Sequence, residues 1–113
     1  MFDTNFNSLG VEELTDNFFR LINNDWMLIA AGKPDDLNMM TASWGATGIL
    51  WNKPIALCFI RPHRYTLKFV EKYNYFTLSF FDKKYKDILD FCGTHSGRDI
   101  DKVKQTSLQP TIL

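Results

Sequence analysis

The chain has 113 residues, 45% hydrophobic and 15% aromatic, which fits one globular domain over residues 1–113 and excludes a disordered chain. Its 13 Lys and Arg balance its 13 Asp and Glu, so overall charge gives no reason to expect nucleic acid or an anionic membrane as partner, and an anion site has to be built locally. Two cysteines are too few for a disulfide framework, and no apolar run reaches the roughly 20 residues of a membrane helix.

Val11, Leu14, Phe18, Leu21 and Ile22 recur at helical spacing, with Glu12, Glu13 and Asp16 near the start. Acidic residues suit the positive end of a helix dipole, so the pattern predicts an amphipathic helix ending near Asn23-Asn24. Residues 26–31, WMLIAA, are apolar on both faces and predict a buried strand. Residues 32–36, GKPDD, are turn chemistry, and 38–44, NMMTASW, predict the next strand. Gly45 and Gly48 interrupt a simple strand pattern, with 46–50 as a candidate. Asn52-Lys53-Pro54 predicts a turn into a buried strand over 55–60, which Pro62 stops.

Residues 65–72 have helical character, with Thr66, Phe69 and Val70 together. Residues 75–81 alternate, Phe76, Leu78 and Phe80 on one face and Thr77 and Ser79 on the other, as in a half-buried strand. Tyr85, Ile88, Leu89 and Cys92 step along one face of a short helix that Gly93 suits to end. GTHSGRD, residues 93–99, reads as a loop, 101–105 as a final helical turn, and Ile112-Leu113 as the start of a strand. The elements together predict a mainly β fold with peripheral helices, a small barrel with helices packed outside.

Three segments carry candidate chemistry. RPHRYT, residues 61–66, puts two arginines and a threonine at a strand end. Arginine offers a planar fork of donors that matches phosphate oxygens, and a helix opening at Tyr65 adds free backbone N–H groups. The same charges also read as solvated surface arginines. MTASWGATG, residues 40–48, is rich in small side chains that let the backbone approach a flat ligand, or mark a bend at a barrel corner. In the third segment, Ser96, Gly97 and Arg98 form a candidate anion nest and Asp99 a candidate cap, against a plain connecting loop.

Other chemistries find little support. His63 and His95 lack metal-ligand spacing, and there is no Walker loop, dinucleotide fingerprint or GxSxG elbow. Cys58 and Cys92 lie in apolar contexts without an activating partner and read as reduced core thiols. The start Met1-Phe2-Asp3 lacks a basic and apolar leader, so a soluble cytoplasmic protein is expected.

The ordered set MTASW, WNKP, RPHRYT, FTLSFF and GTHSGRDIDK, over about residues 24–110, resembles the flavin reductase-like, FMN-binding split-barrel family. The resemblance implies a split β-barrel with peripheral helices and a homodimer holding FMN near the subunit interface. It implies hydride transfer from NADH or NADPH to flavin and on to an acceptor. Thr41, Ala42, Ser43 and Trp44 match the segment along the isoalloxazine ring and ribityl chain. Arg61, Arg64, Tyr65 and Thr66 match the phosphate segment. Ser96, Gly97, Arg98, Asp99 and Lys102 match a late loop that closes over flavin or nicotinamide. Family members run some 50 residues further, so the barrel is expected to lack its C-terminal strands. That keeps two alternatives open, a non-catalytic FMN-binding module and a dimeric structural remnant.

Overall fold

The structure, a computed structural model, describes residues 6–111. Strand β1 (Met27–Lys33) lies at its centre, flanked antiparallel by β2 (Asp36–Ala42) and β5 (Phe76–Ser79). Met27 stands opposite Ala42, Lys33 opposite Asp36, and Leu28 opposite Ser79. The expectation that β1 is apolar on both faces is met, because both faces are covered. On one, Met27 and Ile29 cluster with Ile22, Met40 and Ala42; on the other, Leu28 clusters with Met39, Leu89 and Cys92. Alternation along β2 sends Met40 and Ala42 to the first cluster and Met39 to the second.

The helices take their places through paired polar contacts. α2 (Thr66–Lys72) and α3 (Lys86–Thr94) form where the helical spacing predicts them. α2 packs on β1 and β2, and α3 packs on β2. Asp36, at the start of β2, accepts from Lys72 Nζ at 2.9 Å and from Tyr73 Oη, which ties down the end of α2. Lys86 Nζ donates to Asn24 O at 2.7 Å and lies 4.2 Å from the Trp26 ring centre, fixing the start of α3. α4 (Lys102–Gln105) is capped by Asp101, which accepts from Val103 N and Lys104 N. The cap is therefore Asp101 and not the expected Asp99.

β3 (Gly45–Leu50) and β4 (Lys53–Cys58) form a separate two-stranded sheet. Trp51 and Asn52 make its two-residue turn with φ of +50° and +60°, the left-handed pair that a tight hairpin of this twist requires. Strand β3 runs through Gly45 and Gly48 rather than being interrupted by them. A Cβ on Gly45 would stand 2.5 Å from Leu57 O, so the close approach of the two strands demands glycine there.

Three expectations are corrected. The segment 11–22 is not one helix: a 3-10 turn at Val11–Glu13 gives way to extended backbone at Leu14, and α1 (Phe18–Arg20) restarts from Asn17, whose side chain accepts from Arg20 N. Residues 14–17, LTDN, contain residues whose side chains compete for backbone hydrogen bonds, and Val11 and Leu14 find no core to cover. The second correction concerns 55–60. The strand ends at Cys58, before Pro62, and most of β4 is exposed, because no element among the described residues covers it. Third, the described residues form two small sheets that do not close into a barrel. The strand expected at Ile112-Leu113 lies outside the described residues.

Candidate functional site

β2 ends in the small-residue segment, and the chain leaves β4 into Arg61–Thr66. These two segments meet. Met40, Thr41, Ala42, Ser43 and Trp44 line a cavity of about 270 Å³ together with Phe59, Arg61 and Arg64. The Arg61 guanidinium carbon lies 4.8 Å from the Trp44 ring centre, so the cation rests on an exposed indole. Thr41 Oγ1 donates to Leu89 O, which anchors this stretch of β2 to α3.

A second cavity of about 310 Å³ adjoins the first, sharing Met40 and Arg64. Asn38, Tyr65, Thr66, Gly97, Arg98 and Lys102 contribute to its wall, with His63 and the end of α3. Arg64 therefore stands between the two spaces, its NH2 3.4 Å from Gly93 O. Burial and the neighbouring charge of Arg61 lower its pKa, although a guanidinium stays charged at any working pH. Thr66 is buried, and its Oγ1 accepts from Asn38 Nδ2 at 2.8 Å. Gly97 packs on that same amide: a Cβ there would fall 2.1 Å from Asn38 Oδ1.

Several expected donors are already in use. Leu67 N and Lys68 N, in the first turn of α2, donate to Arg64 O and Tyr65 O. Of the expected nest, the Arg98 N–H donates to Ser96 Oγ, and Asp99 N beyond it donates to Ser96 O. Positive charge at the site comes from side chains instead. Arg98 lies 4.8 Å from the Tyr65 ring centre, and its NH1 donates to His63 O at 3.3 Å. Lys102 does not close over the site. It is 4% exposed beneath it, and Nζ donates to Met39 O at 2.7 Å and Cys92 O at 2.8 Å. Burial pushes its pKa down to about 8.

Sequence reasoning brought twelve of the thirteen expected residues to these walls and missed Asn38, Met40, Phe59, His63, Gly93, Thr94 and His95. Alternation places Asn38 and Met40 on the face that carries Ala42, which is the signal that would have found them. Asp99 lines neither cavity. Among the described residues no three His, Cys, Asp or Glu side chains gather to hold a metal ion, and no helix is long and apolar enough to cross a membrane. Burial raises the pKa of both cysteines, which keeps their thiols protonated.

Fold and site together define a small protein of sheets and helices with two adjoining cavities bordered by cations. The chain belongs to the flavin reductase like domain family, whose sequence model matches residues 19–112. Among curated proteins none matches significantly. Similar solved structures include an FMN-binding protein from Thermus thermophilus with bound 1-cyclohex-2-enone, at 24% identity and a TM-score of 0.65. The same protein with bound p-hydroxybenzaldehyde gives the same identity and score. Each likeness covers 88% of this chain, which spans 55% and 56% of the length of those two structures.

Proposed function

We propose that the chain is an FMN-binding oxidoreductase of the flavin reductase-like type, built as part of a split barrel and working as a homodimer. The observation that carries this reading is the pair of cavities joined at Arg64. A flat ring system fits beside Ala42, Ser43, Trp44 and Phe59, where small and aromatic side chains leave a slot. An anionic tail fits toward Arg61, Arg64, Tyr65 and Thr66. The residues present suit FMN: among the described residues, neither cavity is lined by Asp or Glu. The reading is supported further by family membership and by the FMN-binding proteins of the same fold.

Bound flavin would supply hydride chemistry with NADH or NADPH as donor. The chain's own part is binding and orientation. Arg61 and Arg64 give charge-assisted hydrogen bonds to phosphate, Trp44 walls the ring, and the backbone of 41–44 reads its polar edge. No side chain is needed as nucleophile, in keeping with two protonated, buried or half-buried thiols.

A second reading, a module that holds FMN without turnover, is favoured by the two sheets that stay unclosed among the described residues. NADH and NADPH oxidation measured with excess free FMN separates the two. Sustained turnover above a no-protein blank is expected. FMN binding with no turnover from either nicotinamide would leave the module.

A further inference from the structure

Two apolar surfaces stand uncovered on this chain, and their charges are opposite. The first is the segment that leads into the core. Phe18 and Ile22 anchor it: Phe18 meets Phe80 edge-on with ring centres 6.3 Å apart, and Ile22 joins the cluster around Met27 and Ile29. Every described residue ahead of that anchor, 6 to 17, is exposed, and Phe19 just past it is 90% exposed. Phe6, Leu9, Val11 and Leu14 therefore all face water. The turns of this arm are nonetheless closed by its own side chains. Gly10 N donates to Glu13 Oε2 at 2.7 Å, and Asn17 Oδ1 accepts from Arg20 N. An arm that only trails in water has no use for so many large apolar side chains, whereas a contact surface needs them.

The second surface is the β3–β4 hairpin. Its register puts Ala46 opposite Leu57, Gly48 opposite Ile55 and Leu50 opposite Lys53. Residues directly opposite and those two apart share a face, so Ala46 and Gly48 leave a shallow channel beside Leu50, Ile55 and Leu57. A Cβ on Gly48 would meet nothing within 4 Å, so the channel is open there. Charge decides what fits it. Residues 44–61 carry Lys53 and Arg61 and no Asp or Glu, whereas residues 6–17 carry Glu12, Glu13 and Asp16 and no Lys or Arg. Two hairpins face to face bring like charges together; an arm on a hairpin brings opposite charges together. Within one copy both surfaces stay open, so the arm does not cover its own hairpin.

We propose that the arm, residues 6–19, crosses to a second copy of this chain and lies in the channel of that copy's β3–β4 hairpin. The same arm and the same channel exist on both copies, so the exchange is reciprocal and a twofold axis closes the assembly. Apolar side chains of the arm fill the space over Ala46 and Gly48, and its carboxylates lie toward Lys53 at the hairpin end. Val11 and Leu14, which cover no core in their own copy, gain one in the partner. The inference rests on the homodimer of the proposed function and names the element that builds it.

The test uses the full chain with cysteines placed at exposed positions. Leu9→Cys and Leu50→Cys chains are prepared separately, mixed, left to exchange and oxidised mildly, with the wild type, which has Cys58 and Cys92, as the blank. A covalent dimer that forms in the mixture and from neither variant alone is expected. Sedimentation equilibrium measures dimerisation beside it. Leu9→Ser, a change at an exposed site that leaves the fold intact, is expected to weaken the dimer about tenfold, the scale of one apolar side chain returned to water. Glu12→Lys with Asp16→Lys is expected to weaken it about threefold per lost charge pair, and adding Lys53→Glu to recover part of that loss. A dimer that Leu9→Ser leaves as tight as wild type, with no cross-link in the mixture, would overturn the inference. If Leu50→Cys then links to itself, the homodimer stands, built hairpin to hairpin. A monomeric wild type would overturn the inference and the homodimer together, while FMN quenching in the same samples reports on the flavin site separately.

Discussion

Arg64 carries more of the account than any other side chain because it borders both cavities. Arg64→Ala is expected to weaken FMN by roughly 10- to 150-fold, the equivalent of about 1.5–3 kcal/mol for a charge-assisted hydrogen bond. Riboflavin, which has no phosphate, should change little. Paired fluorescence titrations check this, and equal losses for both ligands would remove Arg64 from the phosphate site. At this scale the sequence was informative about side-chain charge and silent about backbone donors. RPHRYT announced a local cationic cluster in a neutral chain. Of the N–H groups expected beside it, those of Leu67 and Lys68 are taken by carbonyls one turn back and that of Arg98 by Ser96, which no spacing rule reveals. Lys102 was matched to a lid, but its stem is buried and its ammonium is tied to β2 and α3.

The elements were legible where tertiary packing agrees with local pattern. β1, α2 and α3 show their buried faces in the sequence, since β1 is the middle strand of the central sheet and both helices pack against that sheet. The segment 11–22 was not legible, because helical spacing is only useful if a core exists for the stripe to cover. Links between elements are polar and come from residues far apart in sequence. Asp36 is one: its hydrogen bond from Tyr73, then that from Lys72, hold its pKa below the ordinary carboxylate value. A depressed carboxylate contributes stability that is present above the unfolded-state value near 3.9 and is lost as pH falls through the folded value. Asp36→Asn should therefore lower the melting temperature by a few degrees at pH 7, with the gap to wild type closing at acid pH. Thermal melts from pH 7 down to 2 check it, and a gap that stays constant would mean that the carboxylate charge plays no part.

The molecule as a whole exposes a hairpin whose composition belongs in an interior. Trp51 is 88% exposed, Ile49 69%, and Leu50, Leu57, Phe59 and Trp44 are exposed beside them. The sequence pattern of 55–60 read as buried, and burial by a second copy reconciles that pattern with the open face. Light scattering is expected to give a dimer, and Ile49→Lys, a change at an exposed site, to give a folded monomer; a monomeric wild type would contradict the proposal. Trp44 and Phe59 belong both to this face and to the smaller cavity, so dimerisation and flavin binding are expected to assist one another. The most direct test of the whole account is a titration of FMN into the purified chain, followed by flavin fluorescence. Saturable quenching at one FMN per chain is the predicted result; a folded protein that leaves FMN emission unchanged would contradict it.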